Sequence, residues 1–406
     1  MEITHDFLDE TFRAFVLEHY CAGRDSIRAA DVEKITTLQV SRMKLASLRG
    51  LEHFVSLEQL DCAYNYLQEL DIGRNPQLTA LKCEGNRLLW LNTGHNPLLR
   101  QLNCNRNEIH ALDLTSNAEL EALNCGSNRI RTLEVSRNER LSELVCHWNL
   151  LSELDVKRNL RLHKLDCSYN ALFALELSEN VELRQLDCSS NHLLSLHIES
   201  CESLLELRCH HNHLTELDVS GNPALQSLRC FNNHISELRL DYPRLVEVYC
   251  SENKLSALDT SRLPLLERLD YANNLIREPD CDIEGVGTFR YDLSLTSYGA
   301  ALSYRNVELA AAVHVATLVE VERLAPLIRE AWERMETLLE QALRLIAEQH
   351  PGENVAELVY SELSFEEDGT VRIGHDAGDT DAGRLYIYAV FNRQLELDST
   401  LVYEVY

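Results

Sequence analysis

Residues 162–177 read Leu162-His163-Lys164-Leu165-Asp166-Cys167-Ser168-Tyr169-Asn170-Ala171-Leu172-Phe173-Ala174-Leu175-Glu176-Leu177, and the same skeleton returns on both sides of this stretch. Cysteine falls at 62, 83, 104, 125, 146, 167, 188, 209, 230 and 250, a step of 21 residues with a final step of 20. An asparagine follows three residues after each one, from Asn65 to Asn253. Fixed-period self-similarity of this kind defines a stacked array, which must be recognised before any local reading. Twelve units fit, the first starting near Ile35 and the last near Leu266, with Val40 and Tyr271 in the cysteine slot.

Side chains alternate along an extended segment, so Leu165 and Cys167 point inward and Asp166 outward. Stacked segments then form one parallel sheet. An inward asparagine has backbone groups of the turn to satisfy. The second half of the unit echoes the first: Leu67, Leu70, Asp71, Ile72 and Asn75-Pro76, with asparagine again at 96, 117, 138, 159, 180 and 222. A unit this short leaves little room for a helix, so the outer side should carry short extended segments. Eleven steps of ~4.8 Å span about 50 Å.

The pattern LxxLxLxxNxL with Cys in its third apolar slot resembles the short, nested 21-residue class of bacterial leucine-rich repeats, over residues 35–276. Residues 1–34 should cap the array. Phe12, Phe15, Val16 and Tyr20 have helical spacing, and Ala29 to Lys34 reads as a second helix. The run through Phe12-Arg13-Ala14-Phe15-Val16, Ile35 to Val40 and Gly50-Leu51-Glu52-His53-Phe54 resembles the start of internalin-like proteins. In many of those the link between the helices is an Asp-rich, EF-hand-like loop. Here it is Cys21-Ala22-Gly23-Arg24-Asp25-Ser26, short of the oxygen ligands calcium needs, so no calcium site is expected.

Past Ile276 the period stops. Residues 277–406 hold 25 carboxylates against 10 arginines and no lysine. Leu324 to Ile346 predicts one long amphipathic helix ended by Pro351-Gly352. Strands are expected at Phe289 to Thr296, Glu362 to Glu366, Thr370 to Gly374, Leu385 to Phe391 and Thr400 to Val405, making an α+β domain with an antiparallel meander. The fold expected is thus an α/β leucine-rich repeat solenoid, parallel sheet on the concave side, followed by a small acidic α+β domain. Leu363 to Val371, with a Trp-bearing helix upstream, resembles small bacterial domains of unknown function, some found in immunity-type proteins encoded beside toxins.

Chemistry is hard to place on this chain. Neither phosphate-binding nor zinc-protease nor nucleophile-elbow motifs occur, and CxxC is absent. Bacterial repeat proteins that act as ubiquitin ligases carry a Cys-x-Asp motif that is missing here. An enzyme with its site in 277–406 therefore lacks any nucleophile–base or metal-ligand arrangement, and no cofactor is expected. A net charge of -27 disfavours nucleic acid. No run of 18 apolar residues suggests a membrane span, and Met1 to Tyr20 lacks the basic start and apolar run of a signal peptide. Many thiols without such a leader point to a reducing cytosol. His192, His213 and His234 share one slot of three successive units and are the candidate metal ligands, but a straight row converges poorly on one ion.

The outward slots of the sheet carry the expected function. Val145, His147, Trp148 and Tyr169 form one cluster; Arg208, His210, Arg229, Phe231 and Tyr249 form a second; Asp166 and Asp187 lie between. Trp, Tyr and Arg dominate binding hot spots. The expectation is a non-enzymatic, monomeric protein-binding module, sharpened to a cytoplasmic inhibitor or immunity protein against a basic partner. The alternative is an effector delivered into another cell without a classical signal.

Overall fold

The structure is a computed structural model describing residues 1–240, 244–293, 295–351, 355, 358–380 and 383–405. The chain divides into two compact units, Met1–Tyr271 and Ala272–Tyr406.

In the first unit twelve three-residue strands, β1 (Thr37–Gln39) through β12 (Arg268–Asp270), pair in sequence order as one parallel sheet. Each strand but the last buries its central residue and turns its flanks outward, as in β7 (Lys164–Asp166), where Leu165 is buried; in β12 the central Leu269 is half-buried. The pairing is in register coil by coil, Leu144 on Leu165 on Leu186. The ladder runs on past the strand, since the Cys146 N–H donates to the Asp166 carbonyl at 2.8 Å.

Asparagine is the clasp. Asn170 donates to the carbonyls of Cys167 and Cys146, both at 3.1 Å, and accepts from the Leu151 N–H at 3.0 Å. One side chain thus ties its own turn to the preceding coil. On the outer side Asn159 does likewise, donating to Val135 at 3.0 Å and Asn138 at 2.9 Å. The segments there are short and extended, and Glu176 and His197 form a parallel bridge. Cys201 occupies the slot that Asn180 and Asn222 fill in neighbouring coils, and its thiol reaches the Asn180 carbonyl at 3.7 Å. All thirteen cysteines are free and buried. Burial raises the ladder thiols, Cys125 to about 12, so they behave as small apolar fillers.

The first coil is covered by α1 (Glu10–Tyr20) and the short α2 (Ala29–Val32). Asp9 caps α1, accepting from Thr11 at 3.0 Å and Phe12 at 3.1 Å, and its other oxygen accepts from the Ala46 N–H at 2.8 Å. Phe7 and Phe12 pack on Phe54, with ring centroids 6.4 and 6.3 Å away. Gly50 has φ +103°, and a Cβ there would sit 2.6 Å from the Phe7 ring, so this turn requires glycine twice over.

The second unit is an eight-stranded sheet, β13 (Cys281–Ile283) to β20 (Leu397–Val405), also in sequence order. Its neighbours are antiparallel except β16 (Val307–His314) and β17 (Val359–Glu366), which pair in parallel. That pairing needs a crossover, supplied by α3 (Leu318–Glu333) and α4 (Met335–Gln349). The expected meander is therefore a mixed sheet, and the expected single helix is two, parted at Arg334, because the apolar spacing stays in phase across the break. β15 (Ser297–Tyr304) and β16 lay outside the expected strands, and the strand expected to reach Thr296 ends at Asp292. Val321, Leu324, Ile328, Met335 and Leu338 share one core with Leu309, Val313, Phe365 and Phe391. The expected stop at Gly352 and part of the Asp376–Asp381 cluster, Asp381 itself, lie outside the described residues.

Candidate binding face

Two rows of side chains stand outward on the sheet, one on each side of the buried leucine, and a third follows the cysteine. The middle row reads Val145, Asp166, Asp187, Arg208, Arg229 and Tyr249, in register from strand to strand.

Trp148 and Tyr169 are not strand residues. They sit just beyond it with φ of +52° and +53°, in the left-handed region. The same slot is left-handed from Tyr64 to Asn273, so the strain belongs to the repeat rather than to a site. Its effect is to lift the side chain clear of the sheet. Trp148 and Tyr169 are 58% and 41% exposed and stack on each other, centroids 4.2 Å apart and planes within 10°. Val145 and His147 lie half-buried beside them. Gly126 leaves the space His147 uses, since a Cβ there would come within 2.8 Å of the imidazole.

A second stack, His210 on Phe231, has centroids 4.3 Å apart and planes within 8°. Burial, with His211, Arg208 and Arg229 adding positive charge nearby, lowers the His210 imidazole to about 4, so it stays neutral under ordinary conditions. Arg229 lies over Tyr249 at 5.0 Å and 3.6 Å from Glu247. Glu247 also receives a hydrogen bond from Arg268 at 2.7 Å.

Between the stacks the floor is low: Ser168, Ser189 and Ser190 replace rings. Asp166 accepts from the Ser168 hydroxyl at 2.7 Å, and Asp187 from Ser189 at 2.5 Å. Burial raises Asp187, with Asp166 adding to the shift. A groove of about 280 Å³ runs here, floored by Leu165 and Leu186 and edged by Lys164, Asp166, Asp187, Glu206 and Arg208. Sequence reading missed Lys164, Glu206 and Glu247, which precede the buried central residue of the strand (Leu165, Leu207 and Val248); the alternation rule applied one step earlier would have found them.

The histidine column lies off this face. His192 and His213 rings are 5.8 Å apart and within 6° of parallel, and His213 and His234 are 5.9 Å apart at 20°. Parallel rings present their nitrogens side by side rather than to a common point. Among the described residues no group of three or more His, Cys, Asp or Glu side chains could hold a metal ion. No described helix is long and apolar enough to cross a membrane.

No protein-family model matches the chain, and no curated protein does. Solved structures do. The functional domain of InlJ from Listeria monocytogenes, whose structure includes a cysteine ladder, is 29% identical, with 69% of this chain and 72% of that one covered at a TM-score of 0.55. The LRR protein LIC12759 of Leptospira interrogans is 24% identical over 60% of this chain and 66% of that one, TM-score 0.53. The plant peptide hormone receptor RGFR1, solved in complex with RGF2, is 22% identical over 55% of this chain and 41% of that one, TM-score 0.51. The first unit, with its cysteine ladder, clasping asparagines and helical cap, is a leucine-rich repeat solenoid similar to the functional domain of InlJ.

Proposed function

We propose that this chain is a non-enzymatic binding module that takes a protein partner on the sheet face of its solenoid, between and over the two ring stacks. One observation carries the reading: Trp148–Tyr169 and His210–Phe231 are pre-stacked on one sheet, two strands apart, over a floor of serines and carboxylates. Stacked rings have already lost the rotamer freedom that binding would otherwise cost. Trp, Tyr and Arg concentrate binding energy when a partner dries them. A solenoid of the same fold, the plant peptide hormone receptor RGFR1, is seen in complex with RGF2.

The sharper form is a monomeric, cytoplasmic inhibitor of a basic protein, of the immunity type. The charge of -27 supports it, because an acidic body steers a cationic partner and raises the encounter rate. A second reading, an effector delivered into another cell without a classical signal, is compatible with the thiols. All thirteen are buried, so cysteine content does not tie the chain to a reducing compartment.

Capture from native lysate tests the reading, using the wild type and a variant with Trp148, Tyr169, Arg208 and Phe231 all changed to Ala. A partner lost with the variant and weakened by salt supports face binding, and a basic toxin among the captured proteins supports the inhibitor. A partner held equally by the variant overturns the face. Absence of any partner overturns the intracellular inhibitor.

A further inference from the structure

The binding face is far less one-sided in charge than the chain. On the five strands from Glu143 to Arg229, four carboxylates (Glu143, Asp166, Asp187 and Glu206) face three cations (Lys164, Arg208 and Arg229), and Glu247 and Arg268 pair on the strands beyond. The charges are also ordered. Along the middle row two aspartates are followed by two arginines on four consecutive strands, each directly opposite the next. Both halves have unused bonding capacity. Asp166 and Asp187 spend one carboxylate oxygen each on a serine. Arg208 stands 3.7 Å from Asp187 and 4.0 Å from Glu206, too far for a hydrogen bond to either. The terminal nitrogen of Arg229 likewise stands 3.6 Å from Glu247, beyond hydrogen-bond reach, so its outer N–H groups remain available to a ligand.

We infer that the face reads an amphoteric peptide segment: a cationic side chain seated on Asp166 and Asp187 beside the Trp148–Tyr169 stack, and a carboxylate seated on Arg208 and Arg229 beside His210–Phe231. This rests on the proposal that the sheet face is the binding surface, and adds which chemistry it recognises. The centres of the two pairs are two strand steps apart, about 10 Å, or roughly two to four residues of extended chain. The cation is preferentially arginine, whose planar group bonds a carboxylate and lies on an exposed ring at once. The carboxylate is held by N–H donors already fixed in place, Arg229 by the Tyr249 ring under its guanidinium. Whole-chain acidity draws basic partners in, while the local order of charges sets direction, since a segment laid in reverse puts like charges together.

The probe is a library of random twelve-residue peptides displayed on phage, selected at physiological salt on the full chain. Selections run on the wild type, on W148A/Y169A, on R208Q/R229Q and on the charge-swapped D166R/D187R/R208D/R229D, each shown to be folded by circular dichroism. The wild type should enrich Arg or Lys two to four residues from Asp or Glu, in one order. The swapped protein should enrich the opposite order and bind the wild-type peptides at least about tenfold more weakly. If it does not fold, R208Q/R229Q decides: it should keep the basic preference and lose the acidic one. Peptides lost on W148A/Y169A but showing no ordered charge pair would overturn this inference and leave the binding face standing. Peptides kept in full by W148A/Y169A would overturn both.

Discussion

The two units solve the same problem of burying apolar side chains in opposite ways. In the solenoid each coil is clasped by an asparagine to the one before it, and the bonding of Asn170 is repeated at Asn149 and Asn191. Order there is local, and its energy is a sum over neighbours. In the second unit Phe365 on β17 meets Leu309 on β16 and Leu338 on α4 in a single core that no one segment can form. The first design leaves a long row of outward positions free to vary, which is where a binding site can be written. The second gathers its apolar residues from distant segments into the core of one compact body.

The largest effects should separate the units. Asn149→Leu orphans the Ile130 N–H and takes one of the two asparagine bonds from each of the Cys125 and Cys146 carbonyls inside the solenoid, which should cost about 2–4 kcal/mol. Phe365→Ala should cost a similar ~3–5 kcal/mol in the second unit. Urea melts followed by hydrogen exchange should show each variant unfolding its own unit first. Loss of both units together in either variant would break the contrast.

A smaller effect tests the ladder. Cys146→Ser places a hydroxyl where the thiol has no solvent and should cost ~1–3 kcal/mol. In the native wild type, Ellman's reagent should leave the ladder thiols unreacted until denaturant is added, because burial holds them well above the usual thiol range. Cys201→Asn works the other way. It restores the outer asparagine between Asn180 and Asn222 and should gain about 0.5–1.5 kcal/mol in the same melts.

The mildest prediction is common to both units. His210 in the solenoid and His375 in the second unit are each lowered to about 4 by burial, from an ordinary 6.5. The unfolded chain then binds more protons than the native one between pH 6.5 and 4. Both units should therefore lose stability as pH falls through that window. Asp187, raised by burial, acts in the opposite sense above its ordinary 3.8, favouring the fold as it protonates. His375→Phe should flatten the slope of the second unit alone, and His210→Phe that of the solenoid alone, in pH-dependent thermal melts.

The contrast also explains what could be read from sequence. The solenoid was legible because Leu165, Cys167 and Asn170 each have one job, repeated at a fixed step. In the second unit the helical spacing from Leu324 to Ile346 was legible, but strands were so only where alternation was strong, as in Leu363-Ser364-Phe365. β15 and β16 were hidden by Gly299-Ala300-Ala301 and Ala310-Ala311-Ala312, whose small side chains carry no inward–outward signal. The break at Arg334 was invisible because Ala331, Met335 and Leu338 keep helical spacing across it. On the face, the columns placed Trp148, Tyr169, His210 and Phe231 correctly as outward. They could not show that the rings stack, nor that Trp148 and Tyr169 stand on left-handed backbone, a conformation sequence assigns to glycine or asparagine.

Site-specific photo-crosslinking tests the central claim most directly. A photoreactive residue is placed either at Ser190, on the floor between the stacks, or at Val319, 70% exposed on α3. Each full-length protein is then irradiated in native lysate. The account predicts a crosslinked partner from Ser190 and none from Val319. Crosslinks from Val319 with Ser190 silent would contradict it and move the binding site to the second unit.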